Sequence, residues 1–288
     1  MFRTRFAPSP TGPLHLGHAF SALLAHDMAV QHEGEFLLRI EDIDRSRARP
    51  EWENQIYEDL TWLGLSWSKP VMRQSERLQI YKHTLQTLWD RKLIYACHCS
   101  RKDIAAAVAA PQEGADPLIG PDGLVYPGTC RPDNSEDRPD TIPTDAALRL
   151  DMARAVAGQE AFIFEETGNG PSGAHGRITF TADQMIHEIG DIVLARRDMG
   201  TSYHLSVVLD DAAQEITHVV RGQDLFDATK IHVVLQHLLN LPQPIYHHHD
   251  LVRDEHGKRL AKRDDARAIS LYRSEGLSRQ EIRSLAMP

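Results

Sequence analysis

Phe2-Arg3-Thr4-Arg5-Phe6-Ala7-Pro8-Ser9-Pro10-Thr11-Gly12-Pro13-Leu14-His15-Leu16-Gly17-His18 is the stretch on which the fold of this chain turns. Its first residues alternate and predict a short strand. Three prolines and a glycine then force a turn. Residues 16–30 follow as a mostly apolar helical segment, so the order is strand, tight turn, helix. His15 and His18 are three apart and share one face of the first helical turn. Gly17 has no side chain, so a flat ligand has room to approach the backbone there. The start of a helix favours anions, and two imidazoles at that end offer hydrogen bonds to phosphate oxygens.

Outward from this stretch, residues 36–41 predict a second strand of a parallel sheet, closed by Glu41 and followed by Asp42 and Asp44. The C-terminal edge of a parallel strand is where α/β folds bind ligands. Glu41 there offers a countercharge to an ammonium group, unless Arg39, Arg45, Arg47 or Arg49 neutralises it. A helix is predicted over 50–63, with Pro50 near its start and Gly64 at its end. A second is predicted over 74–93, with Leu78, Tyr81, Leu85, Leu88 and Trp89 on one stripe. Trp52, Trp62 and Trp67 read as packing residues.

Cys97, Cys99 and Cys130 are the only cysteines, and all three fall around one long loop. A structural zinc takes four tetrahedral ligands, so three thiolates leave one place open. By composition His98 is the candidate for it. Neighbours on an extended segment face opposite ways, however, while Cys97 and Cys99 share a face. Residues 105–110 continue a short helix, and 111–123 and 131–145 read as loops. Short strands are predicted at 146–150, 161–165 and 177–180, and the parallel sheet resumes at 191–197. Asp210 and Asp211 stand paired, a strand is predicted at 216–224, and a helix at 228–239. His247, His248 and His249 abut one another, so no simple strand or helix directs all three to one ion. Arg253, Lys258, Arg259, Lys262, Arg263 and Arg267 form a basic cluster. Short helices at 269–273 and 279–285 end the chain.

The 288 residues suffice for one large domain or two modest ones. There is no apolar N-terminal run and no apolar stretch of membrane-spanning length. Three cysteines cannot form a disulfide framework, and they point to a reducing, cytoplasmic compartment. The formal net charge of -9 argues against broad, non-specific nucleic-acid binding but allows a local basic groove. No internal repeat is present.

Arg5 through Gly12 followed by His15-Leu16-Gly17-His18 resembles the opening of the glutamyl-tRNA synthetases, with the His-x-Gly-His signature of class I aminoacyl-tRNA synthetases. Gly257 through Arg263 resembles their second signature, the Lys-Met-Ser-Lys-Ser loop. Two departures stand in it: Arg259 occupies the first lysine place and Ala261 the serine place, while Lys262 is retained. The resemblance implies an α/β fold of class I synthetase Rossmann type. Its halves would be 1–96 and 191–240, separated by an inserted α+β, zinc-bearing, acceptor-type module at 97–190. A signature-loop and short helical segment would follow at 241–288, with no anticodon-binding domain.

The resemblance also implies residue roles. His15, His18 and Lys262 would be catalytic. Arg5, Ala7, Ser9, Glu41, Tyr203 and Arg221 would hold L-glutamate, and His15, Gly17, His18, Asp224, Arg259 and Lys262 would hold ATP with its Mg2+. Cys97, Cys99 and Cys130 would bind Zn2+ with Tyr126, which stands in the family's Tyr-x3-Cys place. Two arginines suit two carboxylates, although which meets which is left open. A truncated branch of the family glutamylates queuosine at the wobble position of tRNA(Asp), and the short C-terminal region points to that acceptor; a monomer is expected. The alternatives are the 3' end of tRNA(Glu) or a catalytically silent, tRNA-binding relative.

Overall fold

A computed structural model describes residues 1–109, 117–133, 139–252 and 267–287. Strand β1 (Arg3–Phe6) leads through the proline turn into helix α1 (Leu16–Gln31). Strand β2 (Glu35–Ile40) returns parallel to β1, with Arg5 opposite Leu37. Helix α2 (Pro50–Trp62) opens on Pro50, at a position where a backbone N–H would have no partner in the helix. Strand β3 (Ser68–Arg73) then pairs parallel to β2.

The sequence predicts one helix over 74–93 and no strand directly before it. Helix α3 in fact spans Leu78–Asp90, after a short 3-10 turn at Gln74–Glu76. Pro70 disguises β3 as a loop. It is tolerated because β3 ends its sheet, where a missing donor breaks no ladder. Four residues of the expected stripe, Tyr81, Leu85, Leu88 and Trp89, are buried.

The middle of the chain holds β4 (Ile94–Cys97), helix α4 (Arg101–Ala109), and a small hairpin of β5 (Ile119–Gly120) and β6 (Gly123–Leu124). After it come β7 (Ala147–Leu150), helix α5 (Met152–Ala155), β8 (Ala161–Glu166), β9 (Gly176–Thr181) and helix α6 (Ala182–Gln184). The last part holds β10 (Val193–Ala195), helix α7 (Tyr203–Ala213), β11 (His218–Gly222), helix α8 (Phe226–Leu238) and β12 (Ile245–His249). Helices α9 (Ile269–Ser274) and α10 (Arg279–Ala286) follow.

Strand pairing departs from the expected order in two places. Residues 191–197 were read as the return of the parallel sheet, but β10 lies antiparallel to β7 in a small sheet of order β10-β7-β4. Strand β8, within the expected insertion, instead pairs parallel to β12 and antiparallel to β9. Alternation of apolar residues marks a strand but not its neighbour, which long-range packing selects.

Strand β11 sits beside β1. The Thr217 N–H donates to Arg3 O at 3.0 Å, and the Arg3 N–H donates to Thr217 Oγ1 at 2.8 Å. The joined order is β3-β2-β1-β11-β12-β8-β9. Adjacent residues of β11 separate the two sides of this sheet. Val219 belongs to the buried apolar cluster that holds residues of α3, α7 and α8, while Val220 belongs to the one that holds residues of α1, α2, α9 and α10. Helices therefore cover both faces, as in doubly wound α/β folds.

Asp210 fastens the first of these helix layers. Its fully buried carboxylate accepts from the Tyr81 hydroxyl at 2.8 Å, Arg77 Nε at 2.6 Å and Gln74 Nε2 at 2.8 Å. That ties α3 and the turn before it to α7. Asp210→Ala would strand three donors, so we expect a loss of about 3 kcal/mol of stability. The urea midpoint reads it; an unchanged midpoint would show that apolar packing alone joins these helices.

Candidate active site

The strand order reverses between β1 and β11, and open α/β sheets bind ligands outside the strand ends at such a reversal. A cleft of about 570 Å³ opens there. Arg5, Ala7, Ser9, His15, Gly17, His18, Glu41, Tyr203, Arg221 and Asp224 all line it. They arrive from the ends of β1, β2 and β11, the first turns of α1 and α7, and the turn after β11. Arg259, Ala261 and Lys262 lie outside the described residues, as do Arg253, Lys258 and Arg263. The residues on either side of that stretch are at the cleft: Val252 lines it, and Ala268 bridges to His15.

The two signature histidines are oriented by the helix they begin. Gly17 N–H donates to His15 Nδ1 at 3.1 Å, and His15 N–H donates to His18 Nδ1 at 3.1 Å. Each Nδ1 is thus an acceptor, so each neutral ring carries its proton on Nε2. The rings lie 3.8 Å apart, centroid to centroid. A Cβ at Gly17 would stand 3.0 Å from His15 Cε1, which explains the glycine between them.

Opposite them is a cluster of buried charges. Arg5 donates to both oxygens of Asp211, from Nε at 3.0 Å and from a terminal nitrogen at 3.3 Å. Arg39, fully buried on β2, donates to the same carboxylate at 2.7 Å and to Glu41 Oε1 at 3.3 Å. Burial would raise the Asp211 carboxyl, but Arg5 and Arg39 hold it below its ordinary value. Burial pushes Glu41 above the ordinary carboxylate value despite the pull of Arg39 and Arg5. Glu41 is thus a carboxylate that an additional cation would stabilise.

Arg221 is held differently. Its Nε donates to His248 Nε2 at 3.2 Å, and its terminal nitrogens donate to His232 Nδ1 at 3.1 Å and Thr229 Oγ1 at 2.5 Å. Burial, and then the Arg221 charge, push His232 well below the ordinary imidazole value, so it is neutral. Burial likewise lowers His248. Among the described residues no carboxylate pairs with Arg221. One N–H on each terminal nitrogen is left to donate to an incoming carboxylate.

The cysteines converge at a separate place. Cys97, Cys99 and Cys130 have their sulfurs within 4.8 Å of one another. The Tyr126 hydroxyl lies 3.4 Å from the Cys97 sulfur and 3.5 Å from that of Cys99. Ligands about 2.3 Å from a zinc ion stand about 3.7 Å apart in a tetrahedron, so these four groups suit such an ion. His98 is exposed and no part of this sulfur cluster.

Several residues that build the site carry little signal in the sequence. Asp211 was seen only as half of a paired aspartate, and Arg39 only as a neutraliser of an acidic loop. His232 and Thr229 gave no signal on α8, and His248 was seen only as part of a histidine run, because their partners lie on other elements. His249 also lines the cleft, and its Nε2 lies 2.7 Å from Ser21 Oγ.

Comparison with known proteins adds a lineage. The model of the family "tRNA synthetases class I (E and Q), catalytic domain" matches residues 1–116 and 166–287. The chain is 61% identical to a glutamyl-Q tRNA(Asp) synthetase of Rhodobacter capsulatus, over 98% of each chain. It is 38% identical to one of Neisseria meningitidis, over 100% of this chain and 89% of that one. A crystal structure of a glutamate tRNA ligase from Elizabethkingia meningosepticum, in complex with its amino acid, superposes with a TM-score of 0.74 at 25% identity. The match covers 99% of this chain and 60% of that one.

Glu41 offers a test that needs no substrate. Its folded-state carboxyl is raised, so folding disfavours the ionised form. That cost appears as pH rises through the ordinary carboxylate range and is complete above the folded value. Glu41→Gln removes it, so at neutral pH the variant should melt at the same temperature as the parent or higher. A clear fall in melting temperature would mean that the Arg39 pairing outweighs the burial.

Proposed function

The chain belongs to the family of class I tRNA synthetases (E and Q), and from that membership we propose that it activates L-glutamate with ATP and passes the glutamyl group to queuosine in tRNA(Asp). It is an ATP-dependent ligase. The observation that carries this reading is the meeting of Arg5, Arg221, the Glu41 carboxylate and the His15/His18 pair in one cleft. The 61% identity to the Rhodobacter capsulatus relative, along almost the whole of both chains, supports the acceptor.

In the first step an α-carboxylate oxygen of glutamate bonds to the α-phosphorus of ATP, and pyrophosphate leaves. Glu41 holds the ammonium group, and Arg5 and Arg221 hold carboxylates. Tyr203 adds a directional hydroxyl, and Ala7 and Ser9 shape the turn beside it. His15 and His18 donate from Nε2 to phosphate oxygens at the positive end of α1. Gly17 and Asp224 line the nucleotide side, with Arg259 and Lys262 supplying cationic charge and Mg2+ accompanying ATP. No protein nucleophile is needed; the work is positioning and charge stabilisation. In the second step a hydroxyl of the queuosine cyclopentene diol attacks the acyl carbon, and AMP leaves.

We place a structural zinc on Cys97, Cys99, Cys130 and Tyr126, and the grip on RNA in the inserted stretch 97–190 together with the basic residues 253–267. Four protein ligands would leave no place for substrate on the metal, so its part is to hold that stretch together. ATP, glutamate and tRNA meet in the cytoplasm, where three free thiols also persist. No helix among the described residues is long and apolar enough to cross a membrane.

Labelled glutamate and ATP, offered to a queuosine-bearing anticodon stem-loop and to its guanosine counterpart, test the acceptor. Label is expected on the first alone, with binding that weakens as salt rises because most contacts reach phosphates. Label on the 3'-terminal adenosine of tRNA(Glu) would instead make this an ordinary glutamyl synthetase, and label on no RNA would favour the silent relative. Elemental analysis of protein purified without added metal tests the zinc, with about one ion per chain expected. Zinc retained undiminished in Tyr126→Phe would move the fourth ligand elsewhere.

A further inference from the structure

Arg221 is the terminus of a hydrogen-bond chain that crosses from the nucleotide-binding sheet to the inserted stretch. Its acceptor His232 has Nε2 at 3.1 Å from His204 Nδ1. His204 in turn has Nε2 at 2.9 and 3.1 Å from the two carboxylate oxygens of Asp122. His204 lies on α7 and His232 on α8, both buried. Asp122 lies in the turn between β5 and β6, with its side chain 51% exposed.

The direction of every proton in this chain follows from its two ends. An ionised carboxylate only accepts, so His204 carries its proton on Nε2. Its Nδ1 is then a lone pair, which requires the proton of His232 on Nε2. His232 Nδ1 is therefore also a lone pair, and it faces the guanidinium of Arg221. All three donors point toward Asp122. A shorter chain supports the other side of Arg221. Glu166 takes the proton on His248 Nδ1, leaving His248 Nε2 as the acceptor for Arg221 Nε. Without Asp122 only the Arg221 end still favours these tautomers, while the buried Nε2–H of His204 loses its carboxylate acceptor. The reversed tautomers then become populated, and an N–H of His232 turned toward Arg221 opposes its donor.

Resting on the glutamate-activating reading above, we propose that Asp122, His204 and His232 are positioning residues for Arg221. The relay fixes both imidazoles in the tautomer that gives Arg221 a neutral acceptor. It thereby aims the remaining N–H groups at a substrate carboxylate without cancelling the arginine's charge. A residue of the inserted hairpin thus sets the geometry of the amino-acid pocket. A purely structural role would make Asp122 no more than a fastening of the hairpin to α7. Its loss would then lower stability, or the amount of active protein, with no preference for one substrate.

The full-length chain carrying Asp122→Ala or Asp122→Asn separates the two. In glutamate-dependent ATP–pyrophosphate exchange, Asp122→Ala should raise the KM for glutamate about tenfold, the scale of one lost charge-assisted contact, and change kcat and the KM for ATP by less than about twofold. Asp122→Asn keeps an acceptor oxygen for His204 and should restore the glutamate KM to near that of the parent. Nitrogen-15 spectra of the imidazoles should show His204 and His232 as single Nε2–H tautomers in the parent and as mixtures in Asp122→Ala. A parental glutamate KM in Asp122→Ala, a fall in kcat alone, or unchanged tautomers would each overturn the proposal. A parent chain with no glutamate-dependent exchange would instead defeat the functional reading, and the imidazole spectra would still decide the relay.

Discussion

One carboxylate, that of Asp211, is shared by two buried guanidinium groups, and the site depends on it. Arg5 comes from β1, Arg39 from β2 and Asp211 from α7. A buried charge without a partner costs several kcal/mol, so these elements are constrained to meet at one point. That meeting fixes the ends of the first two strands beside the reversal in strand order. Arg39 and Glu41 are two apart on an extended segment and so lie toward the same side. Glu41 is thereby carried to the rim of the cleft. The arrangement is not free of cost: Arg39 Nε is buried with no hydrogen-bond partner, and Glu41 is held above its ordinary carboxylate value.

Arg5 and Arg221 show two ways of keeping a cation at a binding site. Arg5 is largely neutralised by Asp211, so it brings directed donors more than net charge. Among the described residues Arg221 is hydrogen-bonded by imidazoles and a hydroxyl and by no carboxylate, so its charge stays available. Neutral support of this kind needs each imidazole in one tautomer, and carboxylates one or two residues further out supply that. Glu166 does so through His248, and Asp122 through His204 and His232. Polar groups that look scattered along the sequence are thus the outer layers of one arginine.

Clusters of like residues met different ends. Cys97 and Cys99 are separated by one residue and turn their sulfurs to one place. His247, His248 and His249 are consecutive on β12 and diverge. His247 reaches Thr167, His248 reaches Glu166 and Arg221, and His249 reaches Ser21 at the cleft. Strand alternation accounts for the divergence of the histidines, whereas the cysteines meet just where β4 ends.

By itself the sequence determined whatever depends on local order. The proline turn between β1 and α1, the histidine pair on its first helical turn, the start of α2 at Pro50 and the shared face of Cys97 and Cys99 all follow from neighbours within a few residues. The motif residues Arg5, Glu41, Tyr203 and Arg221 were also legible, as a resemblance. Tertiary structure decided what depends on pairing across distance. It placed β8 rather than β10 in the parallel sheet, revealed β3 behind Pro70, joined Arg5 and Arg39 through Asp211, and brought Asp122 to His204 across 82 positions of chain. The physical reason is the reach of each signal. Turn chemistry and periodicity act between residues close in the chain, whereas strand order and the pairing of buried charge are settled only when remote segments compete for the same partners.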